Sequence, residues 1–329
     1  MFKEMNLRRI TQNLSLCIIA IAFCLLSIEV LLRIIEPATS GFDFVMQRPG
    51  TGRLYELRPG AKGILLGRTI TINSFGIRDR EFEKVKSSDV LRVIGLGDSV
   101  TMGWGIDANE TYLSVLEREL NAASKKRFEI LNFGVCGYNT EQEVDFFEAK
   151  GADLKPDLVL VGFFTNDARP SESMEVRYVS KLQKLVHKSY LLKLLSPHFA
   201  ALGRIFKIPI KTYVSTISAD YSDGLPGWVA CQNALKRLQM LSLRHKFRLA
   251  VVMIPMTVSL DSDYPFNKVH EKLEVSCREQ GIMFWDALPV FLGRNPRSLR
   301  VSYTDAHYNS LAHHMLAEFI KKKLVDLDF

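Results

Sequence analysis

Residues 91–100 read Leu-Arg-Val-Ile-Gly-Leu-Gly-Asp-Ser-Val. Leu91–Leu96 is a short apolar run closed by Gly97, the pattern of a strand buried within a sheet. Gly97-Asp98-Ser99-Val100 marks a tight turn. Thr111–Ala123 follows, with Leu113, Leu116 and Leu120 at helical spacing. The alternation repeats down the chain. Strand-like runs at Phe128–Phe133, Asp157–Phe164, Leu249–Ile254 and Ile282–Trp285 are followed by helix-like segments at Thr140–Lys150, about 228–245, about 266–280 and the C-terminal stretch. The last helix starts near Asn309-Ser310, where Asn309 can cap it, and shows Leu311, Met315, Phe319 and Ile320 on one face. Five strand–helix alternations predict an α/β fold: a three-layer, doubly wound domain on a five-stranded, mostly parallel sheet with right-handed crossovers.

Working outward, Leu14–Leu32 (LSLCIIAIAFCLLSIEVLL) is a run of 19 residues with one charge, Glu29. A bilayer-spanning helix needs about 20 predominantly apolar residues. Lys3, Arg8 and Arg9 precede the run, which predicts a cytoplasmic N-terminus and a main domain on the periplasmic or extracellular side of the inner membrane. A cleaved signal peptide competes with this reading, although the small residues Ala38-Thr39-Ser40 lie well past the apolar run. The expected organisation is a cytoplasmic N-terminus and transmembrane anchor over 1–36, a linker plus a lead-in that packs on the main domain over 37–90, with a strand-like patch at Thr69–Ile72, and the α/β domain over 91–329. That domain carries an insertion at about 168–227, between the third strand and its helix.

The 329 residues are 47% hydrophobic and 24% charged, which excludes a disordered or fibrous chain. The formal charge is +7, of which +1 precedes residue 37, so the basicity belongs to the outer part. Nine basic against four acidic residues over 168–226 place much of it in the insertion. Within that stretch Lys181–Leu195 is basic and amphipathic, suited to a membrane surface, a lid or a docked surface helix. Nucleic acid is not expected as a partner, since no binding module accompanies the charge. Of five cysteines, Cys17 and Cys24 lie in the apolar run, and Cys136, Cys231 and Cys277 lack metal-type spacing. They read as buried thiols, with one disulfide as the alternative.

Open α/β sheets bind ligands at the carboxyl ends of their strands. Ser99 follows the first strand on a tight turn, suited either to a nucleophile whose own N–H faces an oxyanion or to a plain helix cap. After the second strand comes Asn132-Phe-Gly134-Val-Cys136-Gly137, where Gly137 can present a bare N–H or simply make a turn. Asn166-Asp167 follows the third strand, and the Asn166 amide can donate to an oxyanion or stabilise the turn. Near the C-terminus, Asp305-Ala-His307-Tyr-Asn309 offers a histidine with an acid two positions before it. Asp98 and Asp167 read as residues that fix their loops.

These stations resemble the motif blocks of the SGNH, or GDSL-type, serine hydrolase family, which supply Ser, Gly, Asn and His in this order. The resemblance spans about residues 91–325 and implies the family's flavodoxin-like three-layer fold. Three positions depart from the pattern: Val100 stands for the usual Leu, Phe164 for a Gly, and Thr304 where many members place the acid. The resemblance implies acyl-ester hydrolysis with Ser99 as nucleophile, His307 as base and Asp305 as its orienting acid. Ser99, Gly137 and Asn166 would form the oxyanion hole, with no metal or nucleotide cofactor. The implied substrate is a small-molecule or glycan acyl ester, with O-acetyl groups as one candidate. An O-acyltransferase acting on an envelope or exported glycan, or a non-catalytic carbohydrate-binding or assembly protein, remain as alternatives. Gly95-Leu-Gly97 mimics a dinucleotide fingerprint but has Val100 where the third glycine belongs. His307, His313 and His314 lack common zinc spacing, and His313-His314 are expected on the last helix.

Overall fold

The structure, a computed structural model, describes residues 2–35, 44–48, 52–170, 189, 191, 210–260, 263–302 and 305–327. Most of the predicted insertion, including all but two residues of Lys181–Leu195, and Thr304 lie outside the described residues.

The chain divides into two compact units. In the first, helix α1 (Phe2–Ile35) contains Gln12–Leu32, a stretch of 21 residues with a mean hydropathy of 2.6. At 1.5 Å per residue it is about 30 Å long, enough to cross a bilayer, and a signal sequence would meet the same criteria. Glu29, the one charge in the apolar run, accepts hydrogen bonds from the Ser189 hydroxyl at 2.8 Å and the Leu191 N–H at 2.9 Å.

The second unit begins with two antiparallel hairpins, β1 (Val45–Arg48) with β2 (Leu54–Leu57) and β3 (Lys62–Leu65) with β4 (Arg68–Thr71). The Thr69–Ile72 patch largely coincides with β4. Much of the remaining segment, expected as linker and lead-in, is folded onto the α/β domain because it carries apolar side chains that become buried: Tyr55, Leu57, Ile70, Ile72 and Ile77. The Tyr55 hydroxyl donates to Cys136 O at 2.9 Å, and the Tyr138 hydroxyl donates back to Tyr55 O.

The main sheet comprises β5 (Val90–Gly97), β6 (Arg127–Asn132), β7 (Leu158–Phe163), β8 (Arg248–Met253) and β9 (Met283–Asp286). Its spatial order is β6-β5-β7-β8-β9 and every pairing is parallel. The helices are α2 (Ser99–Met102), α3 (Tyr112–Ala123), α4 (Thr140–Phe146), α5 (Ile210–Asp220), α6 (Pro226–His245), α7 (Asn267–Glu279), α8 (Leu288–Phe291) and α9 (Ser310–Val325). The step from β5 to β6 runs opposite to the later steps. Right-handed crossovers therefore place α3 on one face and α4, α6 and α7 on the other. In agreement, α3 packs with α9 and α4 with α6. The reversal leaves a crevice at the carboxyl ends of β5 and β7, where this fold class binds its ligands.

Two local expectations are corrected. The helix predicted over Thr140–Lys150 is regular only to Phe146 and then widens into a π turn over Phe147–Gly151. Helix α9 buries Ala312, His313, Leu316, Ala317, Ile320 and Leu324, leaving Leu311 exposed. Small Ala312 and Ala317 let α3 approach closely, and His313 Nδ1 accepts the Tyr112 N–H at 3.1 Å, which fixes the rotation of α9. Cys136, Cys231 and Cys277 are buried.

Central strand β5 carries a buried charge. The Arg92 guanidinium donates to Glu129 Oε2 at 2.6 Å and to the carbonyls of Lys84, Leu154 and Glu83 at 2.8, 2.9 and 2.6 Å. Replacing it strands one carboxylate and three carbonyls in a poorly solvated place. Arg92→Met should lose about 3–5 kcal/mol in urea unfolding. A loss below 1 kcal/mol, the scale of an exposed pair, would show that this network does not hold the sheet's edge to the preceding segment.

Candidate active site

Ser99 opens α2 directly after β5, and the turn between them depends on Gly97. Its φ is +155°, and a Cβ there would overlap Thr101 Oγ1. The Asp98 carboxylate caps α2 by accepting the Val100 N–H at 2.9 Å. Its other oxygen lies 3.3 Å from Ser99 Oγ and accepts from Asn166 Nδ2 at 3.2 Å. Asp98 thus fixes the turn, as its sequence position implied, and also draws Asn166 from the end of β7 toward Ser99.

Asp305 and His307 come from a tight loop before α9. Arg300 and Tyr308 form an isolated antiparallel bridge, and the Val301 N–H donates to His307 O at 2.9 Å. The loop after β8 braces it: Thr257 Oγ1 donates to Ala306 O at 2.9 Å, and the Tyr308 hydroxyl donates to Pro255 O at 2.6 Å. Within the loop, Asp305 Oδ1 lies 2.6 Å from His307 Nδ1 and accepts the His307 backbone N–H at 3.0 Å. His307 Nε2 is 3.0 Å from Ser99 Oγ. A chain of hydrogen bonds therefore joins residues 208 positions apart, from Ser99 through His307 to Asp305.

The protonation states follow from the geometry. Burial raises the Asp305 carboxyl, but the hydrogen bonds and charge of His307 and the indole N–H of Trp104 outweigh it and lower it to about 2. An ionised carboxylate only accepts hydrogen bonds, so Nδ1 of His307 carries a proton. In a neutral imidazole Nε2 then holds the lone pair that faces the Ser99 hydroxyl. This arrangement can remove the hydroxyl proton as the oxygen attacks an electrophile.

Gly137 has a φ of +79°, a backbone conformation that glycine adopts readily. The preceding Gly134 packs so tightly on α2 that a Cβ there would overlap Met102 N. Asn139 caps α4 by accepting the Gln142 N–H at 3.0 Å. The loop containing Gly137 is thus held between α2, α4 and the β1–β2 hairpin.

Two residues escaped the sequence reading. Trp104 Nε1 donates to Asp305 Oδ2 at 2.9 Å, and its ring stacks on His307 with centroids 5.2 Å apart. Arg78, buried below the loop that bears Trp104, donates to the carbonyls of Met102, Gly103 and Ile106. The available signal was Gly103-Trp104-Gly105 soon after Ser99, an aromatic between two glycines that both take positive φ. Glu143 is also buried near Asp98. Burial first, and the charge of Asp98 second, push its carboxyl well above the usual carboxylate range.

The three C-terminal histidines do not converge. His313 is buried in α9, where desolvation first and the charges of Arg78 and His307 next lower it to about 3. His314 lies 3.6 Å from Glu119. Among the described residues, Glu119, His314 and Glu318 form the one cluster with metal-like proximity, and Lys321 Nζ lies 3.2 Å from Glu119, placing a cation beside it.

The sequence profile of the GDSL-like lipase/acylhydrolase family matches residues 96–315, a span that contains Ser99, Gly137, Asn166, Asp305 and His307. The chain belongs to this family. Solved structures of similar fold include the lipase/acylhydrolase from Enterococcus faecalis, at 12% identity with a TM-score of 0.44 over 71% of this chain and 95% of that one. Another is Axe2, an acetylxylan esterase from Geobacillus stearothermophilus, at 13% identity and 0.45 over 73% and 96%. TesA matches at 12% identity and 0.45 over 71% and 98%. No curated protein matches the chain.

The Asp305 carboxyl, lowered in the folded chain, stabilises the fold above its unfolded value of about 3.9 and ceases to do so as pH falls toward 2. The difference in urea midpoint between wild type and Asp305→Ala should be largest above pH 4 and narrow on acidification. A difference that stays constant or widens toward pH 2 would contradict the ionised Asp305.

Proposed function

We propose that this GDSL-family acylhydrolase is a membrane-anchored serine esterase whose catalytic domain lies on the outer side of the inner membrane. The observation that carries the esterase reading is the unbroken path Ser99 Oγ–His307–Asp305 at 3.0 and 2.6 Å, inside a domain of this family. In acylation, Ser99 Oγ bonds to the ester carbonyl carbon while its proton passes to His307 Nε2. The tetrahedral intermediate collapses, the carbon–alkoxy bond breaks, and the same proton goes to the departing alcohol. Water then attacks the acyl-serine by the same route and releases the acid. The backbone N–H groups of Ser99 and Gly137 and the Asn166 amide serve as oxyanion donors. Asn166 Nδ2 has two hydrogens, and its bond to Asp98 uses one, leaving the other for the oxyanion. Removing one such donor would cost about 10²–10³ in rate. The substrate class is an acyl ester of a small molecule or glycan. The anchor reading rests on the apolar Gln12–Leu32 helix and on the basic residues that precede it.

Labelling with a fluorophosphonate probe in fractionated cells tests the assignment. The probe should attach to Ser99 of a full-length chain in the membrane fraction, and Ser99→Ala should abolish both labelling and ester cleavage. Turnover of an ester by purified Ser99→Ala would reject the nucleophile. A soluble labelled band lacking the N-terminal helix would reject the anchor. Product analysis with and without a glycan acceptor separates hydrolysis from transfer.

A further inference from the structure

The tip of the β3–β4 hairpin breaks a local rule. Leu65 pairs with Arg68, so Leu66-Gly67 forms a two-residue turn. Both take positive φ, 51° at Leu66 and 76° at Gly67, as in a type I′ turn. That turn favours Asn, Asp or Gly at its first central position, and leucine is poorly suited to it. Leu66 is also 54% exposed, and Ile64 beside it is 53% exposed. An exposed leucine in a disfavoured conformation has neither a turn role nor a core role to account for it.

Its surroundings supply one. A Cβ placed on Gly105 would lie 3.4 Å from Leu66 Cδ1 and 2.7 Å from Val301 Cγ1, so Leu66 and Val301 converge on the residue next to Trp104. Val301 in turn binds the His307 carbonyl through its N–H at 2.9 Å. On the other side of the tip, Arg68 pairs with Asp107 at 2.7 Å, pinning the hairpin to the same loop. Leu66 and Val301 therefore form an apolar rim beside the loop of Trp104, whose ring stacks on His307.

We propose that this rim binds the alcohol portion of the ester, and that Leu66 selects for apolar alcohols. The inference rests on the esterase reading above. In acylation His307 Nε2 must reach the departing oxygen within hydrogen-bond distance, so the alcohol leaves past the groups that flank this ring. The acyl carbonyl oxygen is held instead by Gly137 and Asn166. An alkyl or aryl alcohol gains contact with the rim, whereas a methyl group is too short to reach it.

The test holds the acyl group constant. Full-length protein in detergent is assayed for alcohol release from methyl acetate and hexyl acetate, in wild type and Leu66→Asn. Asparagine suits the left-handed turn, so the variant should keep or raise the melting temperature. The hexyl-to-methyl ratio of kcat/KM should fall about tenfold, the scale of lost contact with a few methylenes. A ratio unchanged within twofold, or a wild type that cleaves methyl but not hexyl acetate, overturns the rim and leaves the esterase reading standing. Cleavage of neither ester by protein that the fluorophosphonate probe still labels at Ser99 overturns the rim alone, and absence of both cleavage and labelling overturns both.

Discussion

The 2.6 Å hydrogen bond between His307 Nδ1 and Asp305 Oδ1 is the interaction on which the proposed chemistry depends. With the carboxyl ionised, it commits the proton to Nδ1 and leaves Nε2 to face Ser99. Neither residue could hold this geometry alone. The loop that carries them is fastened by the Arg300–Tyr308 bridge, by Thr257 and Tyr308 from below, and by Trp104, which donates to Asp305 and stacks on His307. Trp104 in turn belongs to a loop whose carbonyls are satisfied by buried Arg78.

The segment before the α/β domain therefore contributes to the site rather than only connecting it. Arg78 holds the Trp104 loop, Tyr55 reaches the carbonyl beside Gly137, and Asp79 accepts the Asn132 N–H at 2.8 Å. Each contact ties a loop at the carboxyl ends of β5 or β6 to a residue that precedes β5. A sheet whose order reverses between β5 and β7 provides the crevice, and the hairpins brace its rim. Carboxylates of Asp98 and Asp305 flank Ser99 and His307, while buried His313 is lowered to about 3.

Much of this was legible in the sequence because it is local. The five strands were readable as apolar runs ending in turns, and their observed ends lie within about two residues of those expected. Ser99, Gly137, Asn166 and His307 stood at strand ends or before a helix, where ligand chemistry is expected. Asp305, two residues before His307, was a local choice too. What sequence did not show depends on distant partners. Trp104 and Asp305 are 201 residues apart, and nothing in either neighbourhood announces the other. The buried face of α9 was misread because a polar residue, His313, lies inside it and small alanines replace the leucines that periodicity seeks. The Leu66 turn reads as an ordinary apolar position until its backbone conformation is known.

The central claim is that Asp305 fixes the proton on His307 Nδ1 for the attack by Ser99. Proton NMR of histidine-labelled protein measures this directly, since an imidazole N–H donated to a carboxylate resonates far downfield. The account predicts such a resonance from His307 in wild type and in Ser99→Ala, and its loss in Asp305→Ala. A resonance that survives the removal of Asp305, or that is missing while Asp305 is present, would contradict it.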